Sequence, residues 1–282
     1  MNLVNGIANA LFGLLDGPVR WFGPLPTLVL VSGVFGVLAL IAFKHLSFQK
    51  RIKATKDRIK AHLIEIRIYQ DDLGIVGKAI LKVLGRNVAY LALNLLPFVP
   101  LSLPFAFVVA QCVVRYGFAP VEVRAAGEHV APGAGTLITI ELESAHAELA
   151  RGLAIEYPPG VEPISPLVRV HGRAFQEVVA RAPGAYTIAV TLPDGTRETK
   201  ALVAGTAERR MQGERGKGFF SALLWPAEDA LDANSPFSRI AFAYPDSRLG
   251  WFPGGAEGVL LVFVVASLLA GVLAIKPLKV QI

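Results

Sequence analysis

A run of 23 residues without a charged side chain, between Arg20 and Lys44, constrains this chain most strongly. About 20 apolar residues in an α-helix cross the hydrocarbon core of a bilayer, and helices buried in soluble domains seldom keep so long an uncharged stretch. Two further charge-free windows run from Asn87 to Val114 and from Gly258 to Ile275. The composition agrees, because 53% of the residues are hydrophobic and only 18% are charged. The sequence therefore predicts an integral membrane protein with three transmembrane helices.

The charges between the predicted spans indicate the orientation. The segment from Lys44 to Arg86 carries eleven basic and four acidic residues, whereas the segment from Tyr116 to Glu257 carries thirteen basic and seventeen acidic ones. Short loops rich in Lys and Arg stay in the cytoplasm. We therefore expect a multi-pass protein of the cell inner membrane, with the N-terminus outside and the C-terminus cytoplasmic. Three tryptophans then fall on the outer side and are predicted as interfacial anchors: Trp21, Trp225 and Trp251.

These patterns divide the chain into eight predicted segments. Residues recurring at helical spacing near the N-terminus, Leu3, Ile7, Leu11 and Leu14, favour a short helix at the outer surface or one packed on the spans. In chain order the segments are an outer interfacial helix (1–22), the first span (23–44), a basic cytoplasmic helical hairpin (45–86), the second span (87–115), an extracytoplasmic β-sandwich (116–206), an extracytoplasmic interfacial segment (207–256), the third span (257–275) and a cytoplasmic tail (276–282).

The cytoplasmic segment has the repeat of a helix that packs on a partner helix. From Gln49 to Leu73, mostly apolar residues recur at alternating spacings of three and four, as in a coiled coil. Gly74 interrupts the repeat, and a second helical stretch from Ile75 to Leu84 leads back to the membrane. The basic side chains of the first helix either meet anionic headgroups or RNA, or only fix the orientation. They are Lys50, Arg51, Lys53, Lys56, Arg58, Lys60 and Arg67.

The outer segment has the pattern of a β-domain. Between Phe118 and Thr206, short alternating stretches are separated by Gly and Pro, and Asp194-Gly195 is a strong hairpin signal. Pro183 to Tyr186 opens a strand as in the tyrosine corner of immunoglobulin-like (Ig-like) sandwiches. The predicted fold is an α-helical membrane protein with three transmembrane helices and a cytoplasmic helical hairpin, plus an all-β Ig-like sandwich between the second and third spans. We expect the sandwich to fold alone.

The sequence contains no constellation typical of catalysis. The single cysteine, Cys112, excludes an intrachain disulfide, and the histidines of the outer segment are scattered rather than clustered. We therefore expect neither an enzyme nor a bound metal or cofactor. The polar residues of the second span, Asn94, Ser102 and Gln111, either line a hydrated cavity in the bilayer or pack between helices.

The order of these elements resembles the YidC/Oxa insertase superfamily, most closely its minimal three-span members. The resemblance rests on an outside N-terminus, a first span, the basic hairpin FQKRIKATKDRIKAHLIEIRIYQDDLG, a polar second span and a third span returning to the cytoplasm. It covers Leu25 to Arg115 and Val259 to Ile282, and not the outer domain. It implies that Asn94 and Gln111 line a groove open to the cytoplasm. It also implies that the hairpin meets the client or the ribosome.

Two functions follow from these expectations. The first is an insertase-like or chaperone-like protein that receives client transmembrane segments in a polar groove, with nascent membrane proteins or the ribosome as partners. The second is a structural or assembly anchor that presents the outer domain to other envelope proteins. Both have the lipid bilayer as a partner, and neither involves DNA. A groove predicts water beside Asn94 and Gln111, whereas an anchor predicts a dry seam between the spans and an exposed patch on the outer domain.

Overall fold

The computed structural model describes residues 6–7, 9–14, 23–206, 210–278 and 280. Among these residues, three helical stretches are long and apolar enough to cross a membrane: Pro24–Leu46, Leu73–Gly117 and Gly255–Leu278. A β-sheet region lies between the second and the third. The prediction of a membrane protein with an inserted β-region is confirmed at this level.

The chain forms two compact units. The β-unit comprises Met1–Leu28 and Ala106–Val262, and the helical unit comprises Val29–Phe105 and Phe263–Ile282. We number the helices α1 (Pro24–Leu46), α2 (Gln49–Ile68), α3 (Leu73–Leu95), α4 (Phe98–Cys112), α5 (Gly218–Leu224) and α6 (Gly255–Leu278). Residues 6–7 and 9–14 are also helical.

The second apolar stretch is a composite of α3, α4 and a π-helical turn, Val113–Gly117. α3 and α4 meet at Leu96 and Pro97, and a proline has no backbone N–H to continue the helix. The 45 residues span about 68 Å at 1.5 Å per residue, roughly twice the hydrocarbon thickness. Lys78, Lys82 and Arg86 all lie in the first half of α3, and its second half carries no charged residue. α3 itself continues without a break past Arg86.

Aromatic rings hold the helical unit together. The ring centroid of Phe35 on α1 lies 5.9 Å from that of Phe105 on α4 and 5.3 Å from that of Phe263 on α6, and the Phe105 and Phe263 centroids are 5.4 Å apart. Further along α1, Phe43 contacts Phe98, which precedes Phe105 on α4, so these two helices are antiparallel. The Nζ of Lys44 donates to the Leu278 carbonyl at 2.7 Å, which brings the C-terminal ends of α1 and α6 together and makes them parallel.

Small residues let α1 and α6 approach closely. A Cβ atom added at Gly36 would overlap the backbone carbonyl of Ser267, whereas one added at Gly33 would meet the Ala270 Cβ at an ordinary 3.6 Å. Close backbone approach at small residues is a main source of helix association in membranes. Gly36 therefore marks the position at which α1 tolerates no side chain.

We expect Gly36→Ala to separate α1 from α6 and to destabilise the helical unit by about 1–3 kcal/mol, because the atoms that the new Cβ overlaps are backbone and cannot move aside. Unfolding in mixed micelles with increasing denaturing detergent measures this loss. Gly33→Ala, one turn earlier on the same helix, is the matched control and should be tolerated. Equal stability of the two variants would contradict the close packing.

The β-unit contains two antiparallel sheets around one hydrophobic core. The larger sheet has the order β3-β5-β1-β9-β8, with β4 also paired to β5, and the smaller one has the order β2-β6-β7. Alternate residues of β1, β6 and β7 point into the shared core, among them Ile138, Ile188 and Leu202. The strands are β1 (Thr136–Leu142), β2 (Ala154–Glu156), β3 (Val161–Pro163), β4 (Val168–Val170), β5 (Arg173–Ala180), β6 (Gly184–Thr191), β7 (Arg197–Ala204), β8 (Glu214–Gly216) and β9 (Phe237–Phe242).

The Asp194-Gly195 turn joins β6 to β7, as its sequence predicts. Gly195 has a φ of 86°, a conformation that favours glycine, and the Thr196 N–H donates to the Asp194 carboxylate at 2.9 Å. That hydrogen bond lowers the pKa of Asp194.

The β-region extends further along the chain than the sequence predicts. The predicted sandwich ends at residue 206, but β8 and β9 belong to the larger sheet, and β9 pairs directly with the central strand β1. Ile140 of β1 faces Ile240 of β9 in this pairing. The sequence places β9 in a segment without a predicted strand, because its only pairing partner nearby in the chain is the short β8. Its other partner, β1, lies about a hundred residues earlier.

A buried ion pair closes the edge of the smaller sheet. The ammonium group of Lys200 on β7 is fully buried and donates to Glu228 Oε2 at 2.6 Å and to the Gln212 carbonyl at 2.7 Å. Outward-facing N–H groups of β7 are also satisfied by side chains: Ala201 donates to Glu228 Oε1 at 2.6 Å and Val203 to the Tyr244 hydroxyl at 3.0 Å. These side chains, together with the backbone of Val121, which bridges to Ala204, occupy the position of a further strand and block edge-to-edge pairing there.

Candidate functional site

An apolar row on α3 is the strongest candidate surface in the helical unit. We call it the α3 stripe. From Leu81 to Leu95 its members recur at spacings of three and four, and Leu73 and Ile80 lie on the same face of the helix at about 100° per residue. All of them are exposed. Gly77 and Gly85 on the same helix leave open space, since an added Cβ would meet no atom within 4 Å. The stripe consists of Leu73, Ile80, Leu81, Leu84, Val88, Leu91 and Leu95.

The opposite face of α3 packs on α2. The two helices lie along each other and are joined by residues 69–72. The Asp72 carboxylate caps α3 by accepting hydrogen bonds from the Gly74 and Ile75 N–H groups at 2.9 and 3.0 Å. Ala79 of α3 and Ile52 of α2 are fully buried. The stripe is therefore fixed in place by a packed and capped helix rather than by a loop.

Positive charge surrounds this pair of helices. All seven basic residues predicted as client- or ribosome-facing are exposed on α2: Lys50, Arg51, Lys53, Lys56, Arg58, Lys60 and Arg67. The Arg51 guanidinium lies over the Phe48 ring, 5.3 Å from its centroid. α3 adds three more cations before its charge-free half, at Lys78, Lys82 and Arg86.

One acidic residue crosses between the two helices. Glu65 of α2 contacts His62 Nδ1 at 2.8 Å and the Nζ of Lys82 on α3 at 3.6 Å. The hydrogen bond from His62 lowers the pKa of the Glu65 carboxyl, and the charge of Lys82 adds to this effect. Glu65 thus offsets part of the positive charge at the α2–α3 contact and leaves the outer faces basic.

Two of the predicted groove residues lie in the helical unit. Asn94 is half-buried, and its amide donates to the Tyr90 carbonyl at 2.8 Å, while its Oδ1 is buried without a hydrogen-bond partner among the described residues. Ser102 is exposed, and its hydroxyl donates to the Val99 carbonyl at 2.7 Å. Asn94 therefore retains an unused acceptor, and Ser102 is satisfied within its own helix.

The third predicted groove residue, Gln111, belongs to the β-unit. It is fully buried, and neither its Oε1 nor its Nε2 has a hydrogen-bond partner in the described part of the chain. A buried side-chain amide without a partner is unfavourable, so water or another polar group would be stabilising there. The described hydrogen bonds connect none of Asn94, Ser102 and Gln111, and their grouping in one groove stays a prediction.

The predicted anchors differ in their surroundings. Trp21 lies outside the described residues. Trp225 is half-buried and stacks on Phe118, with ring centroids 6.1 Å apart and an interplanar angle of 26°. Trp251 is fully exposed and precedes α6 by four residues. Their roles at the membrane interface stay predictions.

None of the α3 stripe residues is among the site residues predicted from the sequence. The apolar 3-4 spacing is visible in the sequence. It continues on both sides of Arg86, however, and the charge pattern places the predicted boundary between hairpin and second span at that residue. No group of three or more His, Cys, Asp or Glu side chains among the described residues is arranged to hold a metal ion. The candidate site is an exposed apolar surface on α3.

Comparison with protein-family models, with curated proteins and with solved structures gives no match for this chain.

Proposed function

We propose that this protein is an insertase-like or chaperone-like membrane protein that receives client transmembrane segments along the α3 stripe. The observation that carries the proposal is the extent of the stripe, which continues from Ile80, among the basic residues of α3, to Leu95 in its charge-free half. Apolar surface in contact with water is unfavourable by about 25 cal/mol per Å², so its exposed part is stabilised by an apolar partner.

The dimensions of the stripe suit a transmembrane helix. α3 has 23 residues, about 35 Å at 1.5 Å per residue, and a client span of about 20 residues is about 30 Å long. A helix lying along the stripe would exchange water for apolar contact before it enters the bilayer.

We further propose that the protein lies in the cell inner membrane, with α2 and the first half of α3 in the cytoplasm and the β-unit outside. The charge distribution supports this, because the basic residues concentrate in the segment from Lys44 to Arg86. The alternating directions of α1, α4 and α6 in the helical unit are those required for three successive crossings.

The β-region is proposed to be Ig-like. Two antiparallel sheets share one core, and the Tyr186 hydroxyl donates to the Ala182 carbonyl, four residues upstream, at 2.6 Å. This is the hydrogen bond of a tyrosine corner in Ig-like sandwiches.

A second candidate function, an envelope anchor that presents this domain to partner proteins, is favoured by one observation. The rings of Phe35, Phe105 and Phe263 contact one another between α1, α4 and α6, as expected if the seam of an anchor is dry. Such a protein would use the helices only for attachment.

Photocrosslinking separates the two functions. A photoreactive amino acid at Leu81 or Leu84, both exposed on the stripe, should crosslink to the transmembrane segment of a ribosome-bound nascent membrane protein. The same probe at Ala54, exposed on α2, is the matched control and should give far less product. Replacing the other stripe residue with Ser should reduce the crosslink, because the stripe then binds an apolar helix less tightly.

Three outcomes would count against the insertase-like function. Equal crosslinking from Ala54 would show that the contact is not specific to the stripe. A product of two copies of this chain would identify the stripe as a dimer contact. No nascent-chain product, under conditions in which a known insertase gives one, would leave the anchor function.

A further inference from the structure

The end of the second span is joined to a short helix of the β-unit. The Met211 N–H donates to the Val114 carbonyl at 2.7 Å, within the π-helical turn that ends the span. Trp225, the residue after α5, stacks on Phe118, the residue after that turn. α5 is therefore connected on both sides to the place where the chain leaves the bilayer.

The start of the third span lies at the same place. Gly117 and Gly255 approach so closely that a Cβ on Gly117 would be 3.4 Å from the Gly255 backbone. The Ser247 N–H donates to the Gly117 carbonyl at 2.9 Å. Trp251, fully exposed, lies in the loop between these contacts. The end of one crossing, the start of the next and α5 thus form one connected junction within the β-unit.

α5 is amphipathic despite its seven residues. Ala222 and Leu223 are buried against the β-unit, while Phe219, Phe220 and Leu224 are exposed, Phe220 at 72%. The two phenyl rings pack edge to face at 5.7 Å. Such a cluster is unfavourable in water, and aromatic side chains concentrate at the boundary between headgroups and acyl chains.

The two basic residues nearest the start of α5 are engaged in ion pairs. Arg215 contacts Glu198 at 3.0 Å, and Lys217 contacts Glu143 at 2.5 Å, which lowers the pKa of the Glu143 carboxyl. Attraction to anionic headgroups through these two side chains is therefore weak. The surface attracts lipid through its apolar side chains.

We propose that Phe219, Phe220 and Leu224, together with Trp251, form a lipid-docking surface that inserts into the leaflet on the side of the β-unit. Its occupant is the phospholipid bilayer, and zwitterionic lipid suffices. Insertion holds the β-unit against the membrane at the junction. The proposal rests on the three membrane spans and is independent of the insertase-like function.

Depth-dependent quenching in proteoliposomes of phosphatidylcholine tests the proposal on the full chain. A bimane label is attached to the cysteine of Phe220→Cys. The unsubstituted protein, treated in the same way, measures the background labelling of Cys112, which should be low because this cysteine is buried. A nitroxide attached to the acyl chain should quench this label several-fold more than aqueous iodide does. Ala145→Cys, exposed on the same unit, should show the reverse. Adding phosphatidylglycerol should change neither result.

A second variant measures the contribution of the rings. The label is placed at Leu224→Cys, and both phenylalanines are replaced (Phe219→Ser and Phe220→Ser). The ratio of docked to undocked protein should then fall by about tenfold or more, because two apolar side chains lose their burial in lipid. Val168→Ser with Val170→Ser, an exposed apolar pair on β4, is the matched control and should have no effect. Iodide quenching at position 220 equal to that at position 145 would overturn the proposal, as would docking that appears only with anionic lipid.

Discussion

A fragment of residues 118–206 should fail to fold, contrary to the expectation from the sequence alone, whereas a fragment of residues 118–247 should fold and melt cooperatively. The shorter fragment contains every strand that the sequence predicts, but it lacks β8 and β9. β1 lies between β5 and β9 in the larger sheet, so the truncation turns a central strand into an edge and removes half of its hydrogen-bonding partners.

The lost core explains the size of the effect. Phe237, Ile240 and Phe242 on β9 are buried in the common core. Full burial of each such side chain contributes about 1.5–3 kcal/mol, and the whole stability of a domain is about 5–15 kcal/mol. The loss from these three residues alone is comparable with that total.

Far-UV circular dichroism and thermal melting of both fragments, in the same mild detergent, measure the outcome. The detergent covers the exposed side chains of α5 in the longer fragment, so that aggregation does not obscure folding. Cooperative melting of the fragment that ends at residue 206 would contradict the role of β9.

Replacing Glu228 with Gln should cost the β-unit about 3–5 kcal/mol, because a fully buried ammonium group then loses its counter-charge. At about 2–4 °C per kcal/mol, the midpoint of unfolding should fall by roughly 6–20 °C. Burial lowers the pKa of Lys200, and the Glu228 carboxylate opposes that shift. Removing the carboxylate therefore lowers the pKa of Lys200 further.

The lowered pKa of Lys200 makes the stability of the Glu228→Gln variant depend on pH. In the variant, the unfolded state keeps its lysine protonated up to the ordinary value of 10.5, while the folded state releases that proton at lower pH. The unfolded state thus binds more protons between these two values, and stability rises with pH. We expect the deficit of Glu228→Gln to shrink as the pH approaches 10.5.

Two controls isolate the buried charge. Lys200→Met removes the ammonium and leaves Glu228 bonded to the Ala201 N–H, so its loss should be smaller and should not recover at high pH. Glu156→Gln breaks the exposed pair with Arg197 and should change stability by at most about 1 kcal/mol. Equal losses at Glu228 and Glu156, or a deficit that grows with pH, would contradict a buried charged Lys200.

The sequence by itself determined the properties that depend on neighbours in the chain. The apolar spans can be predicted from charge-free windows, because about 20 consecutive apolar residues of one helix suffice to cross the bilayer. The β6–β7 turn follows from Asp194 and Gly195, since a positive φ is a local requirement. The candidate polar residues could likewise be named from composition, but not their surroundings.

Tertiary structure decided what depends on residues far apart in the chain. β9 resembles a linker until it pairs with β1, about a hundred residues earlier. Lys200 lies on the same face of β7 as the core residue Leu202. Its ammonium group is satisfied there only by Glu228 and Gln212, which no local pattern connects to it. The α3 stripe is visible as a spacing, yet only the packing of α2 on the opposite face shows which side remains exposed. Periodicity identifies a face of a helix or strand, and the distribution of partners around that face determines whether it is core or surface.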